Sequence, residues 1–253
     1  MNNQRETKKL EHEHRREVIR DRLQKEKGHS YLGDAVLGGI DGGVTTFAVV
    51  AGAIGGGFSN LVIIVLGFAN VLADGFSMAV SNYLGTKSRR EHVEKARIAE
   101  EEHIKKIPEG EREEIRQIFL QKGFEGDILE KIVTIITEDQ KRWVDTMLTE
   151  ELGLQLDGPH PLRAALSTFI AFLTIGILPL LPFIFPQLGK HHAFLISSII
   201  VGITFSGIGI VKGLVLKKSM IRSGLETLLT GGGAAILSYY VGYWIQATFG
   251  TMF

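Results

Sequence analysis

Five apolar runs dominate this chain, near residues 33–56, 60–84, 163–185, 192–216 and 226–249. Each is about as long as the ~20 residues a helix needs to cross a ~30 Å hydrocarbon layer. Hydrocarbon offers no water to backbone N–H and C=O groups, so such runs become helices. Buried helices of a soluble core are the competing reading, but 253 residues could not cover five runs of this kind. The expected fold is all-α: a polytopic membrane protein with five transmembrane helices and a three-helix cytosolic insertion between the second and third. The expected divisions are a charged cytosolic N-terminal helix over 1–30, spans one and two over 31–90, the insertion over 91–157, and spans three to five over 158–253.

Charge is sorted as sharply as hydropathy. The 28 basic and 28 acidic residues cancel overall but occupy different blocks. Basic residues cluster before the first run, after the second (Lys87, Arg89, Arg90, Lys95, Arg97) and between the fourth and fifth (Lys217, Lys218, Arg222), whereas the opposite connections offer only Lys190. The positive-inside rule then puts the N-terminus and the insertion in the cytosol and the C-terminus on the far side. Residues 91–157 hold 18 acidic and 10 basic residues, a local charge of −8. A helical pattern there, broken near Pro108, Gly123 and Gly153, predicts helices over 86–106, 110–122 and 127–152, the first continuing the second span and the last either whole or interrupted. The first 28 residues contain no apolar core of a secretory signal.

Two acids stand deep inside the apolar runs, away from their ends, Asp41 and Asp74. A carboxylate at bilayer depth costs at least ~2.5 kcal/mol, so it normally faces a bundle interior, a proton path or an ion site. Structural roles compete: Asp41, among Gly39, Gly42 and Gly43, can cap a broken helix, Asp74 can pair with Lys212, and Met78 can simply pack. The runs around Gly52 and Gly231 read as seams of close helix contact, and Pro179 and Pro182 as a kink in the third span.

The insertion carries pairs with metal-binding spacing. Glu100 and His103, and Glu111 and Glu114, are i, i+3; Met147 and Glu151 are i, i+4, so each pair shares a helix face. Carboxylates with an imidazole and a thioether suit a divalent transition metal. Spacing alone favours a solvated acidic face, and Met147 near Trp143 reads as core. With no cysteine in the chain, metal ligands are restricted to O, N and thioether donors. Glu11-His12-Glu13-His14 reads as an auxiliary metal arm or as a solvated cytosolic helix, and His191 and His192 as residues at the far-side mouth. No nucleotide-binding loop, His-x-x-x-His pair or Ser/His arrangement is visible, so no enzyme is expected and any transport runs on gradients.

The segments DGGVTTFAVVAG, LADGFSMAVSNYLGTKS, EEEHIKKIPEGEREEI and TMLTEELGL, in this order, resemble the vacuolar iron transporter family from Tyr31 to the C-terminus. The resemblance implies a homodimer of five-span subunits with the pathway between them, exporting Fe(II) from the cytosol in exchange for protons. Mn(II), Zn(II) and Co(II) are further candidate cargoes; no resident cofactor and no nucleic acid are implied. It also implies that Asp41 and Met78 line the pathway and that Glu100, Glu111, Glu114, Met147 and Glu151 are metal ligands. Two positions depart: Asn70 stands where some members carry a glutamate, with Asp74 one turn on, and His103 where another glutamate is expected. The membrane would be the vacuolar one in a eukaryote and the plasma membrane in a prokaryote. A membrane-anchored metal sensor or scaffold is the alternative, but it would not need acids at bilayer depth.

Overall fold

The computed structural model describes residues 11, 14–24, 29–215 and 219–250, without the side chains of residues 22–24, 212, 214, 215 and 220. Every regular element among them is helical. The chain divides into two units, residues 1–30 and residues 31–253. In the first, a short helix runs Arg16–Gln24 (α1). His12 and Glu13 of the expected metal arm lie outside the described residues, as does the Lys212 side chain proposed to pair with Asp74.

The second unit begins with α2, Leu32–Gly55. It turns through Gly57, whose φ of 75° suits glycine, into α3, which runs unbroken from Asn60 to Lys106. Gly85 does not interrupt α3, because one glycine inside a helix costs only ~1 kcal/mol. About half of this 47-residue helix is apolar and the rest charged.

The charged stretch folds as α4, Pro108–Gln121, and α5, Gly126–Thr137. The last element expected here, over 127–152, divides at Asp139. The Asp139 carboxylate caps a new helix, α6 (Gln140–Thr146), by accepting from Arg142 N at 2.7 Å. Helix α6 then widens into a π-turn, Met147–Glu151. Ile115, Leu129, Val133, Trp143 and Met147 form the core of this region.

Helix α7, Pro161–Ile177, tightens at the expected kink into a 3₁₀ stretch, Leu178–Ile184, where Pro179 and Pro182 stand. Helices α8 (Gly189–Val215) and α9 (Met220–Phe249) complete the body. Among the described residues, four helices are long and apolar enough to cross a membrane: α2, α3, α7 with its 3₁₀ extension, and the α8 region. The fifth expected span, α9, is long enough, but Gly231–Gly233 and Tyr239, Tyr240 and Tyr243 dilute its hydropathy.

Helix α2 lies at the centre, packed against α7, α9, α3 and α8. Its glycines permit the approach: a Cβ on Gly38 would stand 2.3 Å from Thr168 O, and one on Gly42 would stand 2.5 Å from Phe172 O. On the other side a Cβ on Gly242 of α9 would meet Gly52 O at 2.0 Å. The expected seam at Gly52 is thus an α2–α9 contact, and Gly231 meets Phe205 of α8. Outward apolar side chains stay open, with Ile203 69% and Leu237 70% exposed. Water would penalise such a surface, whereas lipid does not.

Candidate metal centre

Three helical segments of the charged region meet over its apolar core, and each brings acid. Helix α3, extended past its apolar half, carries Glu100 and His103; α4 carries Glu111 and Glu114; the π-turn carries Met147 and Glu151. Ligand atoms of Glu100, His103 and Glu111 all lie within 4.8 Å of one another. His103 Nδ1 stands 3.6 Å from Glu111 Oε1.

Burial separates these acids into a floor and a rim. Glu100 and Glu111 are 6% and 2% exposed, and neither Glu100 Oε2 nor Glu111 Oε2 has a hydrogen-bond partner. Buried carboxylate oxygens without partners are costly; a proton shared between the Glu100 and Glu111 carboxyls, or a cation between them, relieves that cost. His103, Glu114 and Glu151 are exposed. Burial, followed by the charges of Glu114 and Glu100, pushes the Glu111 carboxyl up to about 7, with His103 opposing and Glu151 adding. Glu151 is raised for the same reasons, burial first and then Glu114 and Glu100. The two acids of α4 and the acid of the π-turn therefore act on one another electrostatically.

Local sequence explains the placement. Glu111, Ile115 and Ile118 follow i, i+4, i+7 spacing, so the face that buries Ile115 carries Glu111 inward with it. The π-turn closes with Leu152 N donating to Met147 O at 3.2 Å, the i to i+5 pattern often found at functional sites. Within that turn Glu150 faces outward and pairs with Lys122, while Glu151 joins the acidic group. Met147 is fully buried in the apolar core. Two carboxylates and an imidazole meet here, with Glu114 and Glu151 within electrostatic reach, and carboxylate with imidazole is a donor set for a first-row divalent metal.

A second polar group occupies the membrane half. Asn70, Asp74 and Met78 follow one another at i, i+4, i+8 on α3, all partly buried, and Asp74 lies within electrostatic reach of Asp41 on α2. Asn70 Nδ2 and Thr46 Oγ1 are buried without partners. His191 and His192 are exposed at the start of α8.

A further cluster goes beyond the sequence reading. Asn82 Nδ2 donates to Asp34 Oδ1 and to Thr168 Oγ1, both at 2.8 Å, binding α3 to α2 and α7. Thr86 Oγ1 donates to Asn82 Oδ1 at 3.3 Å. The signal was present: Asn82 lies four residues beyond Met78, and Asp34 seven before Asp41, so each shares a helix face with an expected pathway residue.

The VIT family profile matches residues 32–243. The chain is 33% identical over 229 residues to a vacuolar iron transporter of Toxoplasma gondii, covering 87% of this chain and 76% of that protein. It is 31% identical over 224 residues to one of Centaurea cyanus, covering 86% and 91%. With vacuolar iron transporter 1 of Arabidopsis thaliana it shares 31% identity over 218 residues, covering 84% and 85%. Such relatives are transporters, which agrees with a multi-pass helical body and with the lack of a hydrolytic motif. The match runs through every helix from α2 into α9, and the chain belongs to the VIT family.

Proposed function

We propose that this protein exports Fe(II) from the cytosol across its membrane in exchange for protons. The observation that carries the reading is the meeting of Glu100, His103 and Glu111 within 4.8 Å, with partnerless carboxylate oxygens on a buried floor. Glu114 and Glu151 complete the ligand set, and Met147, buried four residues before Glu151, is the candidate thioether. Mn(II), Zn(II) and Co(II) fit the same donors and are competitors for the site. The names of the relatives favour iron.

In this reading the acidic insertion is cytosolic and concentrates cations. A dication entering the site displaces the proton that Glu111 holds near neutral pH. Glu100 and Asn82 are 18 residues apart on α3, about 27 Å at 1.5 Å per residue. That is roughly three Debye lengths at physiological salt, so the insertion loads ions and does not push them electrostatically through the membrane half. There Asp41 and Asp74 supply two negative charges to one dication, and Met78 a soft ligand. Asn70 lines the same stripe without a charge, which leaves proton coupling to the two aspartates. Helix α9 is the fifth span, and two copies enclose the pathway between them.

The test is Fe(II) uptake into proteoliposomes with and without an imposed pH gradient, with Mn(II) and Zn(II) as competitors. Gradient-dependent uptake that is lost in Asp41→Asn supports the exporter. Tight metal binding without flux would make the protein a membrane-anchored sensor or scaffold.

A further inference from the structure

On α3 a basic pocket and an apolar groove follow one another along a single helix face. The pocket, about 310 Å³, has Thr86, Arg89, Arg90 and Arg97 on α3 as one wall and the linker residues Gln155, Leu156, Gly158 and Pro159 as the other. The groove, about 300 Å³, lies between Phe76, Val80 and Tyr83 of α3 and Leu162, Leu166 and Phe169 of α7. Tyr83 and Thr86 are three residues apart, as are Pro159 and Leu162, so groove and pocket are adjoining stretches of the same cleft.

Depth and charge match a phospholipid. The apolar run of α3 ends at Gly85. Arg89 and Arg90 therefore stand about 6–8 Å beyond it, at the ~5–7 Å headgroup layer that borders the hydrocarbon on each side. Arg97 is held by Asp145 at 2.7 Å. Arg89 makes one hydrogen bond, to Thr86 Oγ1 at 3.3 Å, and among the described residues neither Arg89 nor Arg90 has an acidic partner. The Arg90 stem lies against the linker, where a Cβ on Gly158 would meet its Cγ at 3.9 Å. The acid in the lining is Glu94, on the side away from the groove. Two exposed guanidiniums without acidic partners, next along the helix from an apolar groove, suit a phosphate joined to a hydrocarbon chain.

This cleft is separate from the transport stripe. Val80 lies two residues beyond Met78, and Phe76 two beyond Asp74, which is about 200° round the helix. Lipid in the groove would leave the Asp74 and Met78 side open.

We propose that this cleft binds one anionic phospholipid, its phosphate between Arg89 and Arg90 and an acyl chain along Phe76, Val80 and Leu166. The proposal rests on α3 crossing the bilayer and not on the identity of the transported ion. The full-length protein in detergent is titrated with phosphatidic acid and with phosphatidylcholine of the same chains, and retained lipid is counted by native mass spectrometry. Phosphatidic acid should bind saturably, about tenfold or more tighter than phosphatidylcholine. The doubly neutral R89Q/R90Q variant should remove that preference, and Ala165→Trp, which fills the groove, should weaken phosphatidic acid binding with the arginines intact. Equal retention of the two lipids by the unaltered protein would overturn the proposal, as would a preference unchanged in R89Q/R90Q. Displacement of phosphatidic acid by inorganic phosphate at equal concentration would also overturn it, because the site would then read a free anion. A second copy of the chain covering the groove would shut out both lipids alike, and that loss of selectivity would overturn the proposal too.

Discussion

Glu111 is a carboxylate buried at a floor where Glu114, Glu100 and Glu151 all disfavour its charge, which a nearby cation would offset. Its carboxyl is raised from an ordinary 4.5 to about 7. A raised acid favours folding below its unfolded value, and that contribution disappears as pH climbs through the folded value. The metal-free insertion should therefore lose stability between about pH 4.5 and 7, and bound metal should restore it. In the metal-free protein at pH 8, Glu111→Gln should gain on the order of 2 kcal/mol, and at pH 4 close to nothing. Chemical unfolding followed by Trp143 fluorescence, in a Trp244→Phe background, reads this directly. The same variant should lose at least about tenfold in metal affinity. Affinity of the unaltered protein should fall about tenfold per pH unit below about 7, one proton being exchanged for each ion. Isothermal titration across pH 5.5 to 8 checks both expectations. At membrane depth the corresponding residue is Asp41: Asp41→Asn should abolish gradient-driven flux while equilibrium binding by the insertion stays within about twofold. Unchanged flux in that variant would remove Asp41 from the pathway.

Helix packing depends on where backbones touch, and the glycines of this chain divide on that ground. Gly42 leaves no space for a methyl group, since its Cβ would stand 2.5 Å from a backbone oxygen of α7. Gly85 has nothing within 4 Å. Gly42→Ala should therefore separate α2 from α7 and cost about 1–3 kcal/mol, visible as a lower melting temperature in detergent. Gly85→Ala should gain about 0.5–1 kcal/mol by favouring the helical backbone of α3. Opposite shifts in two Gly→Ala variants distinguish contact from propensity, and equal shifts would mean that α2 and α7 do not pack as described. Much at this scale could be read along the chain. The continuation of α3 past its apolar half followed from the want of a strong breaker, Gly85 apart, between Ser81 and Ile107, and a break in the third span from Pro179 and Pro182, though not its 3₁₀ form. The cap at Asp139 and the π-turn at Met147 were harder to see, because one hydrogen bond shifted by one residue leaves no mark on hydrophobic spacing.

For the whole molecule, the charge pattern makes a topological claim that the chain itself helps to test. Having no cysteine, it gives no labelling background. A single Glu125→Cys in the insertion should react with an impermeant maleimide from the cytosolic side only, and Gln187→Cys between α7 and α8 from the opposite side only; labelling of both from one side would refute the orientation. By itself the sequence determined that the protein is helical, that apolar runs and charged runs alternate, and which acids share a helix face. Those properties are local: hydrogen bonding in a helix and its 3.6-residue period act over neighbours along the chain. Only the tertiary structure decided that Glu100 and Glu111 are buried while Glu114 and Glu151 stay at the rim. It alone joined Asn82 to Asp34 and Thr168, residues 48 and 86 positions away, and set Gln155, Leu156, Gly158 and Pro159 opposite Arg89 and Arg90. Each of these depends on where one helix crosses another, and a crossing is set by the fit of side chains and glycines from distant segments, which no local period encodes.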